Sequence, residues 1–240
     1  MQIAQNMNFD KQVIVLTGAA GHLGRAVAHH FAARGASLVL FDVDHDRLLQ
    51  AHGDASERLM LTAADLRDAV QTAAAVQAVL HRFGGIDVLV NVAGGFRMGE
   101  TVHETSDETW NFLFDLNTRT LLNMCRAIVP TMRARGRGRI VNVGAYGALR
   151  GGALMGAYAA SKSSVIRLTE AMAAELREHG IGVNCVLPTI IDSPDNRAAM
   201  PDADPSRWVA PEALAEVIGF LACDAARAIH GAAVPVTGLV

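Results

Sequence analysis

The sequence predicts an α/β fold: one doubly wound parallel sheet with helices on both faces. Short β-branched apolar runs alternate with helical stretches along the whole 240-residue chain. The first run leads into a glycine-rich turn and then a helix. No composition break, low-complexity block or fixed repeat marks a second unit, and a chain of this length buries a sizeable core as one domain.

Val13–Thr17 is apolar and β-branched, hence a strand. Thr17-Gly18-Ala19-Ala20-Gly21-His22-Leu23-Gly24 makes the turn, Arg25–Arg34 a helix, and Ser37–Phe41 the next strand. That order is a βαβ unit. Strands are expected again at Arg58–Thr62, Val88–Val92, Arg139–Val143 and Gly182–Leu187. Helices are expected at Ala69–Arg82, Glu108–Ala134 and from about Tyr158 to Glu178. Pro188–Val209, rich in Pro and Asp, reads as loop with room for a short helix, and residues 190–210 read as a substrate lid. Pro211 suits the first turn of a last helix, Glu212–Asp224, and Ala233–Val236 closes the sheet. The polar Met1–Lys11 segment is read as a tail.

Composition narrows the function. The chain is 51% hydrophobic and 19% charged with net charge −3, and its scattered Lys and Arg form neither a nucleic-acid stripe nor a polybasic anchor. No apolar run reaches the 18 or so residues of a membrane span, and the first residues lack the pattern of a secretory signal. A cytoplasmic enzyme acting on a small molecule is the simplest expectation. Cys125, Cys185 and Cys223 are far apart, without metal-ligand spacing, and read as buried thiols.

Two features carry chemistry. In the turn, Gly18, Gly21 and Gly24 let the backbone approach a pyrophosphate, and the helix that follows offers the N–H groups of residues such as His22 and Leu23. His22 either faces solvent or touches a phosphate. Asp42 ends the second strand; it either caps a loop or accepts from the adenosine ribose and repels a 2′-phosphate, the reading that selects NAD over NADP. The second feature is Tyr158-Ala159-Ala160-Ser161-Lys162. A Tyr and a Lys four apart share a helix face, and an ammonium nearby lowers a phenol's pKa. Moving it from 10 to about 7 takes roughly 4 kcal/mol.

These motifs, from Lys11 to Val236, closely resemble the short-chain dehydrogenase/reductase family, with its single Rossmann-type domain. The resemblance implies an NAD(P)-dependent oxidoreductase, a homodimer or homotetramer, with Tyr158 as proton donor and Lys162 as its electrostatic partner on the nicotinamide ribose. It gives Asn117 a place in a water-mediated proton relay, although an isolated helix Asn is equally a structural residue. Asp65 and Leu66 would meet adenine. Asn91, Ala93 and Gly94 would lie beside the cofactor, and Pro188, Ile190 and Ser193 would meet the carboxamide end of the nicotinamide.

The family's Ser thirteen residues before the Tyr is Ala145 here. Losing one oxyanion donor costs about 10²–10³ in rate. Three readings follow: Tyr146 substitutes for it, the acceptor does not need it, or the chain binds nucleotide with little turnover. Dihydropteridine reductase-like members also lack that Ser. Stretches such as Leu187-Pro188, Asp192-Ser193-Pro194, Asn196-Arg197, Met200-Pro201 and Trp208 resemble them. The closer resemblance implies hydride transfer to a conjugated acceptor such as a quinonoid dihydropterin. Phe96, Arg97, Leu149, Met155, Ile191 and Trp208 are candidate pocket residues.

Overall fold

The computed structural model describes residues 7–240, so part of the expected tail lies outside the described residues. Within that segment, Phe9 is fully buried and meets Phe31 edge-on at 4.7 Å, so the packed domain already includes it.

In chain order the main elements are β1 (Val13–Thr17), α1 (His22–Ala32), β2 (Ser37–Asp42), α2 (His45–His52), β3 (Leu59–Ala63), α3 (Ala69–Phe83) and β4 (Val88–Asn91). Then come α4 (Asp107–Phe114), a π-helical turn (Asp115–Arg119), α5 (Thr120–Arg135), β5 (Gly138–Val143), α6 (Gly156–Leu176), β6 (Ile181–Pro188), α7 (Pro194–Ala199), α8 (Pro211–Ala222) and β7 (Ala233–Val236). The strands form one parallel sheet in the order β3-β2-β1-β4-β5-β6-β7. Both faces are covered, which explains why the strands read as continuous apolar runs. Alternate residues of β1 serve opposite cores: Ile14 and Leu16 pack with α1 and α8, Val13 and Val15 with α3, α5 and α6.

Two elements depart from expectation, and a third falls where a short helix was allowed. Helix α2 follows Asp44, whose carboxylate accepts from the Asp46 and Arg47 N–H groups, a local cap that the strand-by-strand reading passed over. The single helix expected over Glu108–Ala134 is interrupted by the π turn, which carries Asn117. Within the expected loop after β6, Ser193 caps the short α7.

The strand order reverses its direction of growth at β1, which lies between β2 and β4. In such sheets the crevice beyond the carboxyl ends at that point receives ligands. A cleft of about 1160 Å³ opens there.

Candidate active site

The floor of the cleft is held by hydrogen bonds between elements distant in sequence. Thr17 Oγ1, at the end of β1, accepts from the N–H groups of Val92 and Ala93, each at 3.0 Å. Gly18 then takes φ +63°, and a Cβ there would stand 3.0 Å from the Ala93 backbone. A Cβ on Gly24 would meet the Gly18 carbonyl and stand 2.7 Å from the Ala19 Cα. Gly21 caps α1 with no side chain, and the first turn of α1 carries no acid. The leading N–H groups of the helix have no intrahelical partner. With their positive end they suit a pyrophosphate, so this cradle fits a dinucleotide.

Among the predicted cofactor residues, Gly18, Gly21, His22, Leu23, Gly24, Asp42, Asp65, Leu66, Ala93, Gly94, Tyr158, Lys162, Pro188 and Ile190 all line the cleft. Asp42 is aimed by its own backbone contacts, accepting from Ala20 N–H (3.0 Å) and Val43 N–H (2.9 Å). Asp65 is tied to Arg67, whose hydrogen bonds hold its carboxyl below the usual carboxylate range.

Three predicted residues stand elsewhere. Asn91 is buried, donating through Nδ2 to Asn142 Oδ1 at 2.9 Å, and Asn142 donates in turn to Thr169 Oγ1 at 2.9 Å. This chain of amides ties β4 and β5 to α6. Ser193 caps α7 by accepting from Asn196 N–H (3.2 Å) and borders a neighbouring groove instead of the cleft. Asn117 is buried with both ends of its amide engaged: Oδ1 accepts from Gly95 N–H (2.8 Å), and Nδ2 donates to Gly95 O and Ser161 Oγ, both 3.0 Å. Ser161 Oγ donates to the Tyr158 carbonyl at 2.9 Å. Asn117 therefore clamps the Gly94–Gly95 floor to the helix of Tyr158.

Tyr158 and Lys162 lie on α6 as the spacing requires. Lys162 is buried and donates through Nζ to the Val143 carbonyl at 2.9 Å; a Cβ on Gly94 would come within 3.1 Å of that nitrogen. Burial pulls its pKa down to about 8. The Tyr158 ring meets Phe96 edge-on at 4.8 Å, and burial pushes its phenol up to about 12. The expected lowering of the Tyr by the Lys is thus reversed in the protein itself. Desolvation disfavours both charged forms, leaving the phenol protonated at neutral pH.

Ala145 is buried beside Tyr158 in a small apolar cluster and lines the cleft. Tyr146 is 43% exposed and does not line it, which argues against its serving as the substitute donor. Of the candidate pocket residues, Phe96, Met155 and Ile191 line the cleft. Arg97 pairs with Glu108 and covers the Phe112 ring, Leu149 is exposed, and Trp208 is buried packing. The sequence reading missed Met98 on the wall and Asn142 beneath it, and it read Asn196, Met200 and Thr17 only as parts of motifs, without these contacts.

A phosphate-binding βαβ unit beside a Tyr–Lys pair on one parallel sheet defines a nicotinamide-dependent oxidoreductase. The family model for short chain dehydrogenase matches residues 12–204, and the chain belongs to that family. It is 35% identical over 240 residues to cis-4-hydroxycyclohexanecarboxylate dehydrogenase of Sinomonas cyclohexanicum, covering 96% of each chain. It is 37% identical over 190 residues to galactitol 2-dehydrogenase of Agrobacterium fabrum, covering 78% of this chain and 73% of that one. The fold superposes with a TM-score of 0.89 on a gluconate 5-dehydrogenase from Burkholderia cenocepacia in complex with NADP and tartrate, at 26% identity over 99% and 98% of the two chains.

Proposed function

We propose that the protein interconverts an alcohol and its carbonyl compound with NAD(H) as the preferred cofactor. The observation that carries this is the Tyr158–Lys162 pair, set in the same cleft as the glycine cradle. When bound, the nicotinamide dinucleotide supplies or accepts the hydride. The residues of the chain do the rest. The α1 N-terminus and the Gly18–Gly24 turn hold the pyrophosphate, and Lys162 holds the nicotinamide ribose. Tyr158 gives its phenolic proton to the carbonyl oxygen in reduction and takes it back in oxidation. Such proton transfer is worth about 10²–10⁴ in rate.

The NAD preference is supported by Asp42, whose carboxylate lines the cleft at the end of β2, where it repels an added phosphate. The lid reading is supported by Asn196, Ala199 and Met200, which α7 and its end bring to the cleft wall. A homo-oligomer is supported by the half-exposed Trp110, stacked on Phe114 at 4.4 Å on α4. Among the described residues no helix is long and apolar enough to cross a membrane. A quinonoid dihydropterin finds no support among these relatives, whose names are those of alcohol dehydrogenases. The conventional alcohol–carbonyl reaction therefore displaces it.

Steady-state rates with NADH and NADPH over a panel of alcohols and carbonyls test this. NADH should be preferred by at least about tenfold, and Asp42→Ala should narrow that ratio. Equal use of both cofactors by the wild type would remove Asp42 from the choice.

A further inference from the structure

The relatives are named for compounds as different as galactitol and cis-4-hydroxycyclohexanecarboxylate, so similarity leaves the acceptor open. The wall of the cleft is more specific. Its charged side chains Asp42, Arg47, Asp65 and Arg67 gather at the ends of β2 and β3, and Lys162 lies beneath Gly94. The other half, over β4, β5 and β6, is walled by Phe96, Met98, Ala145, Met155, Ile191 and Met200.

The polar side chains there are few, and two of them already spend a donor on the backbone. Thr189 Oγ1 donates to the Thr237 carbonyl at 2.9 Å, and Asn196 Nδ2 donates to the Ile191 carbonyl at 2.7 Å. Among the described residues, Tyr158 has the one hydroxyl lining the cleft that does not donate to a backbone carbonyl. A polyhydroxylated substrate would give up water at each hydroxyl and find few replacements, at about 1–3 kcal/mol for each unpaired group. An apolar ring loses nothing of that kind and gains contact with the methionines, whose unbranched thioethers conform to irregular shapes.

The same wall bears on reactivity. As hydride reaches carbon, the C=O π pair moves to oxygen, and here one side-chain hydroxyl meets it. A carbonyl already activated by an adjacent carbonyl needs less help.

Building on the function proposed above, we propose that the physiological acceptor is an apolar cyclic or aryl 1,2-dicarbonyl, bound with its ring against the Phe96, Met98, Met155 and Met200 wall. The reaction is a two-electron reduction. Hydride forms a C–H bond at one carbonyl carbon, the Tyr158 proton completes the hydroxyl, and the reduced nicotinamide is oxidised. The product is an α-hydroxy ketone.

The test is kcat/KM with NADH for three acceptors: 1-phenyl-1,2-propanedione, the plain ketone propiophenone, and a ketose. The dione should exceed the ketose by at least about 100-fold and the plain ketone by at least about tenfold. Ala145→Ser should raise the plain ketone about tenfold or more and the dione less than about threefold. Met155→Gln and Met200→Gln should each raise KM for the dione about tenfold with Tm held, and Met155→Leu should restore it. Ketose turnover within tenfold of the dione, equal use of plain ketone and dione, or unchanged dione KM in both Gln variants overturns the proposal while leaving the alcohol–carbonyl function intact. NADH binding, seen by its fluorescence, with no turnover on any acceptor overturns both.

Discussion

The two halves of the cleft are made of different material. The dinucleotide half is largely backbone: glycines that allow close approach, a helix N-terminus, and a carboxylate aimed by N–H groups. The other half is largely side chain, contributed by the segment after β4, the stretch between β5 and α6, and the segment after β6. Backbone chemistry requires particular residues at fixed spacing. An apolar wall accepts many residues of suitable size, so one half is tightly specified and the other is free to vary.

Tyr158, where the halves meet, gives the largest effect. Tyr158→Phe should lower kcat by about 10²–10⁴ while NADH affinity changes less than about threefold. Pre-steady-state turnover and fluorescence titration check the two separately. A comparable loss in both would mean that the phenol serves the dinucleotide half instead.

The next effect sharpens the contrast from the back of the dinucleotide half. His30, on α1, is buried with Nε2 against Gly219 of α8 and no hydrogen-bond partner there. Burial first, then Arg34 and His29, lower its pKa from 6.5 to about 4. The unfolded chain therefore binds this proton more readily. The contribution of the neutral imidazole is intact above pH 6.5 and is lost as pH falls toward 4, roughly 3 kcal/mol at most. Denaturant unfolding between pH 7 and 4 should show that slope, and His30→Asn should flatten it.

The smallest effect concerns Tyr146. Tyr146→Phe should leave kcat/KM for every acceptor within about twofold, because the half-exposed ring does not line the cleft. A tenfold loss on ketones would return it to the role of substitute donor.

Legibility followed the same division. The parallel sheet, the cradle, Asp42 and the Tyr–Lys pair could be read because a βαβ turn and an i,i+4 pair have local sequence signatures. Ser193 and Asn91 were assigned to the cofactor by position, yet one caps a helix and the other joins a buried amide chain. Both competing uses depend on partners that sequence spacing does not reveal, Asn142 above all. The Tyr158 pKa went the other way for a related reason: a four-residue spacing says nothing of how much water the fold removes. Met98 went unnoticed, and Met200 was read only as part of a motif, because a lone methionine is as ordinary in a core as in a pocket.

The Asn117 clamp also bears on how such a molecule can change over time. Gly95, Asn117, Ser161 and the Tyr158 backbone hold one another through hydrogen bonds to which the methionine wall contributes nothing. Side-chain changes in that wall are therefore decoupled from the hydrogen bonds that hold the Tyr158 backbone. A lineage can exchange Met155 or Met200 and sample new acceptors while the clamp keeps Tyr158 in place. Evolvability of substrate range is then a by-product of where one buried amide is anchored.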